Sequence, residues 1–560
     1  MKKIFSSILS ICLVAQVGFA GGLVTNTNQS AAWVRSLVRD ASINTDAVYF
    51  NPAGVARMAD GFYIEVSNQT IFQTKTITNE YALLNNKTYV GDVMAPLFPS
   101  VYVAYKKGNF AVHGGFAVVG GGGSAEYLTG LPSFEIPISE IPASLTANKI
   151  PTNAYDADIY FSGSSTYMGI QLGASYKLNE FIAVGLGVRY IMAKNTYLGH
   201  IRDIMINPNY PVFGAQYNGS MVSAPAFFSD GAKFLTGLSA GSSQMAAGFG
   251  QIVAAGGGTV LLANGTVVGL TATQVAQAQQ IIGAAGMNPA NLTIQQAQAV
   301  LAAAAPAFQA KANAMTANAA GTGNIEVESE QKGNSFTPIV SVDLSMFDGK
   351  LGIALKYEHK TPLELKNATT IDGSGMFPDG ELVPAEMPSL FSLGVRYKIS
   401  DKFRTQIGAH YYLDRAAKYG KKDGVTKEYV TNGADVFTSD GTQESYIAGN
   451  AYELGIALEY DVAKMVSLSA GYLYAASDPN PSYQNDMSYT LQTSTLGFGA
   501  ILHIKDKLDI NLGVSSTFYT DGSKIINYPD FSTGYKIATK ELYAKTTTVL
   551  AIGLGYRFGK

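Results

Sequence analysis

The side chains of this chain that could carry chemistry form no catalytic or metal-binding pattern. No G-x-S-x-G nucleophile elbow lies in the strand–turn–helix context that it needs, and no glycine-rich segment has the context of a phosphate-binding loop. The five histidines lie far apart, without the spacing of metal ligands: His113, His200, His359, His410 and His503. The sequence therefore predicts no catalytic residue, no metal site and no cofactor. We expect a protein that is not an enzyme.

The ionisable residues that do follow a pattern occupy alternate positions within short apolar segments. Four arginines and three acids are placed in this way: Arg189, Arg396, Arg404, Arg557, Glu453, Glu459 and Asp509. Successive side chains on a strand face opposite sides, so each segment has one apolar face and one face of small or charged residues. We expect these charges to pair with one another and to hold neighbouring elements together rather than to bind a ligand.

The segment 547–558 shows the pattern most clearly. One of its faces is apolar and ends in aromatic residues: Leu550, Ile552, Leu554, Tyr556 and Phe558. The other face is mostly small or charged: Ala551, Gly553, Gly555 and Arg557, with Val549 as the bulky exception. A soluble sandwich would turn its bulky face inward. Small and charged residues opposite a continuous apolar face are typical of a strand with lipid outside and a polar lumen inside.

Fourteen segments are predicted strands: about 61–77, 98–107, 110–119, 165–178, 180–196, 334–348, 350–367, 387–399, 402–416, 450–463, 465–477, 488–504, 507–519 and 545–558. Short turns follow every second strand, and the other connections are long. This alternation is typical of outer-membrane barrels, with short periplasmic turns and long extracellular loops. We predict a fourteen-stranded antiparallel transmembrane barrel over residues 61–560, closed by pairing of the last strand with the first near Phe62, Ile64 and Val66.

Composition agrees with an exported β protein. Charged residues make up 14% of the chain, and 59 glycines, 33 tyrosines and 27 phenylalanines accompany a single tryptophan. The net charge of −3 argues against nucleic acid as a partner. Residues 1–20 resemble a secretory signal peptide; the alternative, an N-terminal anchor helix, has too short an apolar core to span a bilayer. The only cysteine, Cys12, lies within this segment.

Two long segments lie outside the predicted strands. Residues 21–60 precede the first strand, and residues 197–333 form one large extracellular loop. Within the loop, Thr271 and Thr293 each precede a glutamine by three residues, which is a capping-box pattern. We therefore predict helices over 273–286 and 294–320, with a break or kink at Pro306. The alternative is a low-complexity spacer rich in alanine.

A short motif near the end of the first of these segments suggests a family. Asn51, Pro52, Ala53 and Gly54 stand ten residues or fewer before the first strand, and a hairpin of strands 4 and 5 contains Tyr176-Lys-Leu-Asn-Glu180. Together with the fourteen-strand layout, these residues resemble the FadL family of outer-membrane long-chain fatty-acid transporters, which includes TodX-type hydrocarbon channels. The resemblance implies that residues 21–60 form a hatch in the lumen.

The resemblance also implies a route for a ligand. A hydrophobic molecule would land on a groove formed largely by the large loop and its neighbour, enter a lumenal pocket, and leave sideways where strand 3 is kinked. Here strand 3 runs into Gly120, Gly121, Gly122 and Gly123; glycine permits such a bend, although a flexible loop start is the alternative. His200 and Arg202 are candidates for contacting a ligand headgroup, and the alternative is that they are solvated loop charges.

We predict a monomeric protein in the outer membrane of a Gram-negative bacterium. Its partners would be membrane lipid and hydrophobic small molecules, and its function would be import of long-chain fatty acids. Three alternatives stay open at this point: a channel for aromatic or other hydrocarbons in the same family, an outer-membrane hydrolase, and a structural or adhesive barrel whose large loop is the functional part.

Overall fold

The computed structural model describes residues 24–437, 443–505 and 507–558, so the predicted signal peptide lies outside the described residues. Fourteen antiparallel strands form the wall of a closed barrel. Their bounds are β1 Gly61–Asn79, β2 Thr88–Lys107, β3 Phe110–Tyr127, β4 Tyr155–Lys177, β5 Ile182–Ile206, β6 Ile325–Met346, β7 Leu351–Glu358, β8 Leu390–Lys398, β9 Phe403–Tyr412, β10 Ile447–Ala463, β11 Val466–Pro479, β12 Thr493–Ile504, β13 Leu508–Tyr519 and β14 Lys536–Phe558.

The barrel closes where the sequence predicts. Strand β14 pairs with β1 in antiparallel register, with Phe558 opposite Phe62, Tyr556 opposite Ile64, and Leu554 opposite Val66. Every other wall strand pairs with both of its sequence neighbours, so no described wall strand is left at the edge of the sheet. Since an unpaired edge is not tolerated in lipid, closure is what allows these strands to cross a membrane.

The strand bounds differ from the prediction mainly at the extracellular ends. Strands β4 and β5 continue to Tyr155 and Ile206, because alternation persists there after the outer face has become polar. The predicted strand 350–367 is wrong beyond Glu358: the chain breaks at the Lys360–Pro362 corner and resumes as a loop strand, Glu364–Asp372. Strand β2 begins at Thr88 rather than residue 98, across Pro96 and Pro99, whose presence argues against a strand.

The wall has an apolar exterior. Side chains such as Leu454, Leu512 and Leu550 are about half exposed, whereas their neighbours Glu453, Asn511 and Ala551 face the interior and are buried. This alternation places the barrel in the outer membrane of a Gram-negative bacterium.

Residues 24–60 fill the lumen at the periplasmic half of the barrel, and we call them the hatch. The hatch contains α1 Ala31–Ser36, α2 Ala47–Phe50 and a 3-10 helix, Pro52–Arg57. Nearly all of its side chains are buried, including the single tryptophan, Trp33. They share a hydrophobic core with inward-facing residues of the wall, among them Ile71, Phe98 and Tyr167. The wall therefore folds around a well-packed plug.

Helices also cover the extracellular end. Helix α3 Pro132–Ala147 lies between β3 and β4, and α4 Ala224–Ala254, α5 Ala272–Ala284 and α6 Ile294–Gly321 follow β5. Short 3-10 helices occur at Pro211–Phe213, Gly257–Thr259, Leu262–Val268, Asp414–Ala416 and Pro481–Tyr483. Loop strands occur at Val222–Ser223, Leu382–Pro384, Lys418–Lys422, Tyr429–Thr431, Asp435–Phe437, Gln443–Ser445 and Gly522–Pro529. No described helix is both long and apolar enough to cross a membrane.

The predicted loop helices are present, each with the capping box that the sequence indicates. Thr271 and Thr293 exchange hydrogen bonds with Gln274 and Gln296 at the starts of α5 and α6. Helix α6 runs through Pro306 without ending. We call residues 224–321 the arm; α4, α5 and α6 share a hydrophobic core of their own, built on residues such as Leu235, Ile282 and Leu301. Helix α4 was not predicted, because its many glycines weaken the helical pattern.

Candidate functional site

The barrel wall has a slot between β2 and β3. Hydrogen-bonded pairing joins the periplasmic parts of these strands, from Ser100 opposite Ala117, and resumes only at Val93 opposite Ala125. Between these points, residues 94–99 of β2 and 118–124 of β3 do not pair, although each strand stays paired to its other neighbour. We call this gap the wall slot, and it contains the predicted run Gly120–Gly123.

The glycines give β3 the shape that produces the slot. Two bulges interrupt its pairing with β4, one between Val118 and Gly120 and one between Gly121 and Gly123. Gly121 and Gly122 have φ values of +64° and +120°, a region that side-chain-bearing residues rarely adopt. A Cβ atom on Gly122 would lie 2.4 Å from Cε2 of Phe98, whose buried ring occupies the space that the missing side chain leaves. On the lipid side of the slot, Leu97 is 76% exposed.

The beginning of the hatch covers the slot from inside. The backbone N–H of Asn26 donates to the carbonyl of Val119 at 2.9 Å, and its amide Nδ2 donates to the carbonyl of Gly121 at 2.6 Å. The amide of Gln29 donates to the carbonyl of Val118 at 2.9 Å. Residues 24–29 thus supply β3 with hydrogen bonds that β2 does not make. The same segment also bonds to β1 and β2, through Asn28 with Gln69 and through the carbonyl of Gln29 with the hydroxyl of Tyr102. All of these bonds are between neutral groups.

The motif Asn51–Gly54 fixes the other end of the hatch to the wall. The amide of Asn51 donates to Asp343 at 2.9 Å, and the N–H of Ala53 donates to the hydroxyl of Ser341 at 2.8 Å; both acceptors lie on β6. The carbonyl of Pro52 accepts from Ser175 of β4 at 2.5 Å. A Cβ atom on Gly54 would lie 2.4 Å from the carbonyl oxygen of Ser42. In this structure the motif is a docking contact.

Buried ion pairs hold the hatch to the wall on the side away from the slot. Asp343, which is fully buried, accepts from Arg57 of the hatch at 3.0 Å and from Arg396 of the wall at 2.6 Å. Arg35 of α1 donates to Glu459 at 2.5 Å. Breaking a buried pair by removing one partner costs about 3–5 kcal/mol. The hatch is therefore held by buried ion pairs on one side and by hydrogen bonds between neutral groups at the slot.

One buried pair stiffens the hatch itself. Arg39 donates to both carboxylate oxygens of Asp46, at 2.7 and 2.8 Å. Burial opposes ionisation of Asp46, but the Arg39 guanidinium and hydrogen bonds from Ser42 and Ser30 hold the pKa of its carboxyl below the ordinary value. This ion pair bridges the segment that connects α1 to α2 and so holds the two helices in place relative to each other.

The lumen-facing charges pair mostly with partners other than the predicted ones, and these pairs join one wall strand to another. Hatch residues add to three of them, through Arg35, Asp40 and Arg57. Arg404 does pair with Glu459, at 2.8 Å. Four further partners are wrong. Arg189 pairs with Glu358 at 2.6 Å and lies 4.5 Å from the ring centre of Tyr49. Arg396 pairs with Asp343, Asp509 with His503, and Glu453 with His410, which also contacts Asp40 of the hatch. Alternation within a single strand shows which side chains face the lumen, but it does not show which side chains of other strands they will pair with.

An apolar cleft opens at the extracellular end, and we call it the outer pocket. It lies between the start of α3, the tips of β4, β5 and β6, and two loops, and it is lined mainly by Phe134, Pro137, Phe161, Ile201, Val327, Met376, Phe377 and Met487. Five of its lining residues lie within the predicted large loop 197–333, at the tips of β5 and β6: Gly199, His200, Ile201, Ile325 and Val327. None of the arm residues 224–321 lines this pocket. That the large loop forms a landing groove for a ligand stays a prediction.

Aromatic side chains lead from the outer pocket into the lumen. Phe161, Phe377 and Met487 belong to a buried cluster that continues downward through Tyr197, Tyr489, Tyr543 and Ile77. Below it, two lysines that the sequence analysis did not single out face each other across the β1–β14 pairing, Lys75 and Lys545. Both are buried. The ammonium group of Lys545 donates to the carbonyl of Tyr489 at 2.8 Å.

The predicted headgroup residues do not come together at this place. His200 lies at the rim of the outer pocket, where Nε2 is 3.0 Å from the carboxylate of Asp158 and the ring stacks on Tyr160. Arg202 pairs with Glu326 at 2.7 Å and does not line the pocket. The buried lysines were missed because each is a single charge within a strand. The feature that could have indicated them is that both occupy lumen-facing positions, opposite each other in the predicted pairing of the first and last strands.

The sequence matches no family model and no curated protein. The fold, in contrast, resembles solved structures. A FadL homologue from Pseudomonas aeruginosa aligns over 96% of this chain and 100% of its own, with a TM-score of 0.53 and 12% identity. The toluene transporter TodX from Pseudomonas putida aligns over 98% of this chain and 100% of its own, with a TM-score of 0.48 and 12% identity. The protein therefore has the fold of the FadL-type outer-membrane barrels.

Proposed function

We propose that this protein imports long-chain fatty acids across the outer membrane. The ligand enters the outer pocket, passes through the aromatic cluster to the two buried lysines, and leaves sideways through the wall slot into the bilayer. The observation that carries this proposal is the placement of Lys75 and Lys545 between an apolar entrance and a gap in the wall. The hatch closes the axial route, as the family resemblance implies.

The lysine pair favours a ligand with a carboxylate. Two ammonium groups at facing positions repel each other, and burial makes each charge costly. A carboxylate between them would receive charge-assisted hydrogen bonds from both sides and relieve the repulsion. The apolar side chains above the lysines, from Ile77 to Phe161, suit the hydrocarbon tail.

A sideways exit suits such a ligand. About fifteen methylenes at about 0.8 kcal/mol each represent about 12 kcal/mol of transfer free energy between water and an apolar phase. An aqueous pore would expose the whole chain. Lys75 pairs with Gly91 of β2, and the slot begins only three residues further along that strand, at Met94. A tail released from the lysines would thus meet the slot before the hatch.

Removing both lysine charges tests this proposal. We expect Lys75→Met with Lys545→Met to lower uptake of oleate by about tenfold or more, since loss of two charge-assisted contacts costs more than about 1.4 kcal/mol. The measurement is uptake of labelled ligand by cells that lack their own importer. Oleyl alcohol is the matched ligand: it has the same tail without the carboxylate, and its uptake should be unchanged or higher.

Uptake of aromatic hydrocarbons is the second candidate function. The outer pocket offers three phenylalanine rings, Phe134, Phe161 and Phe377, that could stack on a small aromatic ligand. In that case toluene would be taken up, oleate would not, and the lysine variant would behave like the wild type.

A further inference from the structure

Helix α3 forms the roof of the outer pocket. Ser133, Phe134 and Pro137 line the pocket from above, and the ring of Phe134 meets that of Phe161 edge-on at 5.5 Å. The chain leaves the roof at both ends through residues with positive φ, Gly130 at +68° and Lys149 at +66°. The two bends are the hinge points about which the roof helix can swing away from β4 and β5, against which it packs through Ile138, Ile141 and Leu145.

Hydrogen bonds fasten the start of the helix. The N–H of Ser133 donates to the buried carboxylate of Asp486 at 2.7 Å. Glu135 accepts from the hydroxyls of Tyr89 and Tyr155, at 2.6 and 2.5 Å, and from the N–H of Asn85 at 3.0 Å. The carboxylate of Glu135 is thus well supplied with donors.

Glu140, one turn and a half further along, is placed differently. Its side chain is also buried, at 7% exposed, but the described residues give it a single long hydrogen bond, from the hydroxyl of Tyr81 at 3.4 Å. Burial raises the pKa of Glu140 to about 7, and the Tyr81 hydrogen bond opposes this only in part. The carboxyl group is therefore held neutral more readily than an exposed one.

The surroundings of Glu140 are mostly acidic. Two tyrosines, Tyr81 and Tyr528, pack beside it. Burial and nearby carboxylates raise the pKa of both phenol groups. The charged groups on the elements around the roof are Glu135, Asp486, Asp530, Glu541, Lys87 and Lys524. Four are acids and two are lysines, and no described lysine or arginine forms an ion pair with Glu140. Burial is therefore what disfavours the ionised form of this carboxyl group.

We propose that α3 is a pH-dependent lid over the outer pocket, closed while Glu140 is protonated and loosened when it ionises. The role of the lid as a gate for ligand entry rests on the proposed function, whereas its movement does not. The direction follows from linkage. In the closed state the pKa of Glu140 is about 7, above the ordinary value of 4.5 that applies when the lid is open. The closed state is therefore fully favoured below about pH 4.5, and it loses that advantage as the pH rises to about 7.

Distances between two spin labels test the movement without any ligand. The single cysteine lies in the predicted signal peptide, so Ala147→Cys at the end of α3 and Leu178→Cys in a periplasmic turn can be labelled specifically. We expect one distance at pH 5, and at pH 8 a second distance whose population relative to the first rises about tenfold or more. In the Glu140→Gln background the pH 5 distance should persist at both pH values.

Two further variants make the outcome decisive. Glu140→Met should also keep the lid closed at pH 8, and Glu80→Gln, at an exposed acid in the neighbouring loop, should behave like the wild type. A single distance at both pH values in the wild type would overturn the proposal. So would an unchanged pH response in both Glu140 variants. Failure of oleate uptake would overturn the proposed function and leave these distances unaffected.

Discussion

Deleting residues 21–56 is expected to leave a folded barrel that leaks. The described hatch residues occupy the lumen, whereas closure of the wall depends on β1 and β14, which pair continuously from Phe62 opposite Phe558 to Asn79 opposite Glu541. The charges that the deletion exposes, such as Glu459 and His410, would be hydrated in an open lumen. We expect the single-channel conductance in planar bilayers to rise by about tenfold or more, because conduction would no longer require displacement of the anchored hatch.

A second deletion serves as the control. Replacing residues 225–320 of the arm by a short linker removes a segment with its own core and leaves the lumen filled. The chain enters and leaves the arm at the tip of β5, where Ser223 pairs with Met205 and Ile325 pairs with Ile201. This variant should show wild-type conductance. Equal conductance of the hatch deletion and the wild type would mean that the hatch does not seal the barrel.

Filling the wall slot is expected to block the sideways exit of the ligand from the lumen into the bilayer. In Gly122→Leu the new side chain would collide with Phe98, and the positive φ of Gly122 would add strain of about 1–3 kcal/mol. The flanking strand pairs, which are not affected, should preserve assembly. We expect oleate uptake to fall by about tenfold, the effect of a barrier higher by about 1.4 kcal/mol, with normal amounts of heat-modifiable barrel in the membrane.

A compensating substitution separates blockage from damage. Phe98→Ala in the Gly122→Leu background removes the ring that the leucine displaces, so it should restore much of the uptake. Phe98→Ala alone should not reduce uptake. If Gly122→Leu assembles normally and takes up oleate at the wild-type rate, the slot is not the exit.

The wall was predictable from the sequence because its strands and turns are specified by patterns within short segments of the chain. Alternation of apolar and small residues fixes which face of each strand meets lipid, and the short turns fix the order of strands. The slot was only partly predictable. The run Gly120–Gly123 indicates a bend, but the loss of pairing also depends on Pro96 and Pro99 of β2, a strand that alternation alone starts at residue 98.

The candidate site depends on contacts between distant segments, which no local pattern reveals. Lys75 and Lys545 are 470 positions apart and meet only because the barrel closes. Helix α3 was not predicted, since Pro137 and Pro142 argue against a helix interior; its formation reflects burial of Ile138, Ile141 and Leu145 against the neighbouring strands. In the sequence, Asp343 is one lumen-facing acid among several, and its ion pair with Arg57 of the hatch becomes visible only in the folded structure.

Photo-crosslinking of a tagged fatty acid tests the central claim, sideways exit through the slot, most directly. A photoreactive amino acid would replace Leu97 at the lipid side of the slot, Leu454 on the lipid-facing surface of β10, or Ile43 at the periplasmic face of the hatch. During uptake, we expect labelling at Leu97 well above that at Leu454, and little at Ile43. Labelling at Ile43, with Leu97 no higher than Leu454, would contradict the account and indicate passage through the hatch.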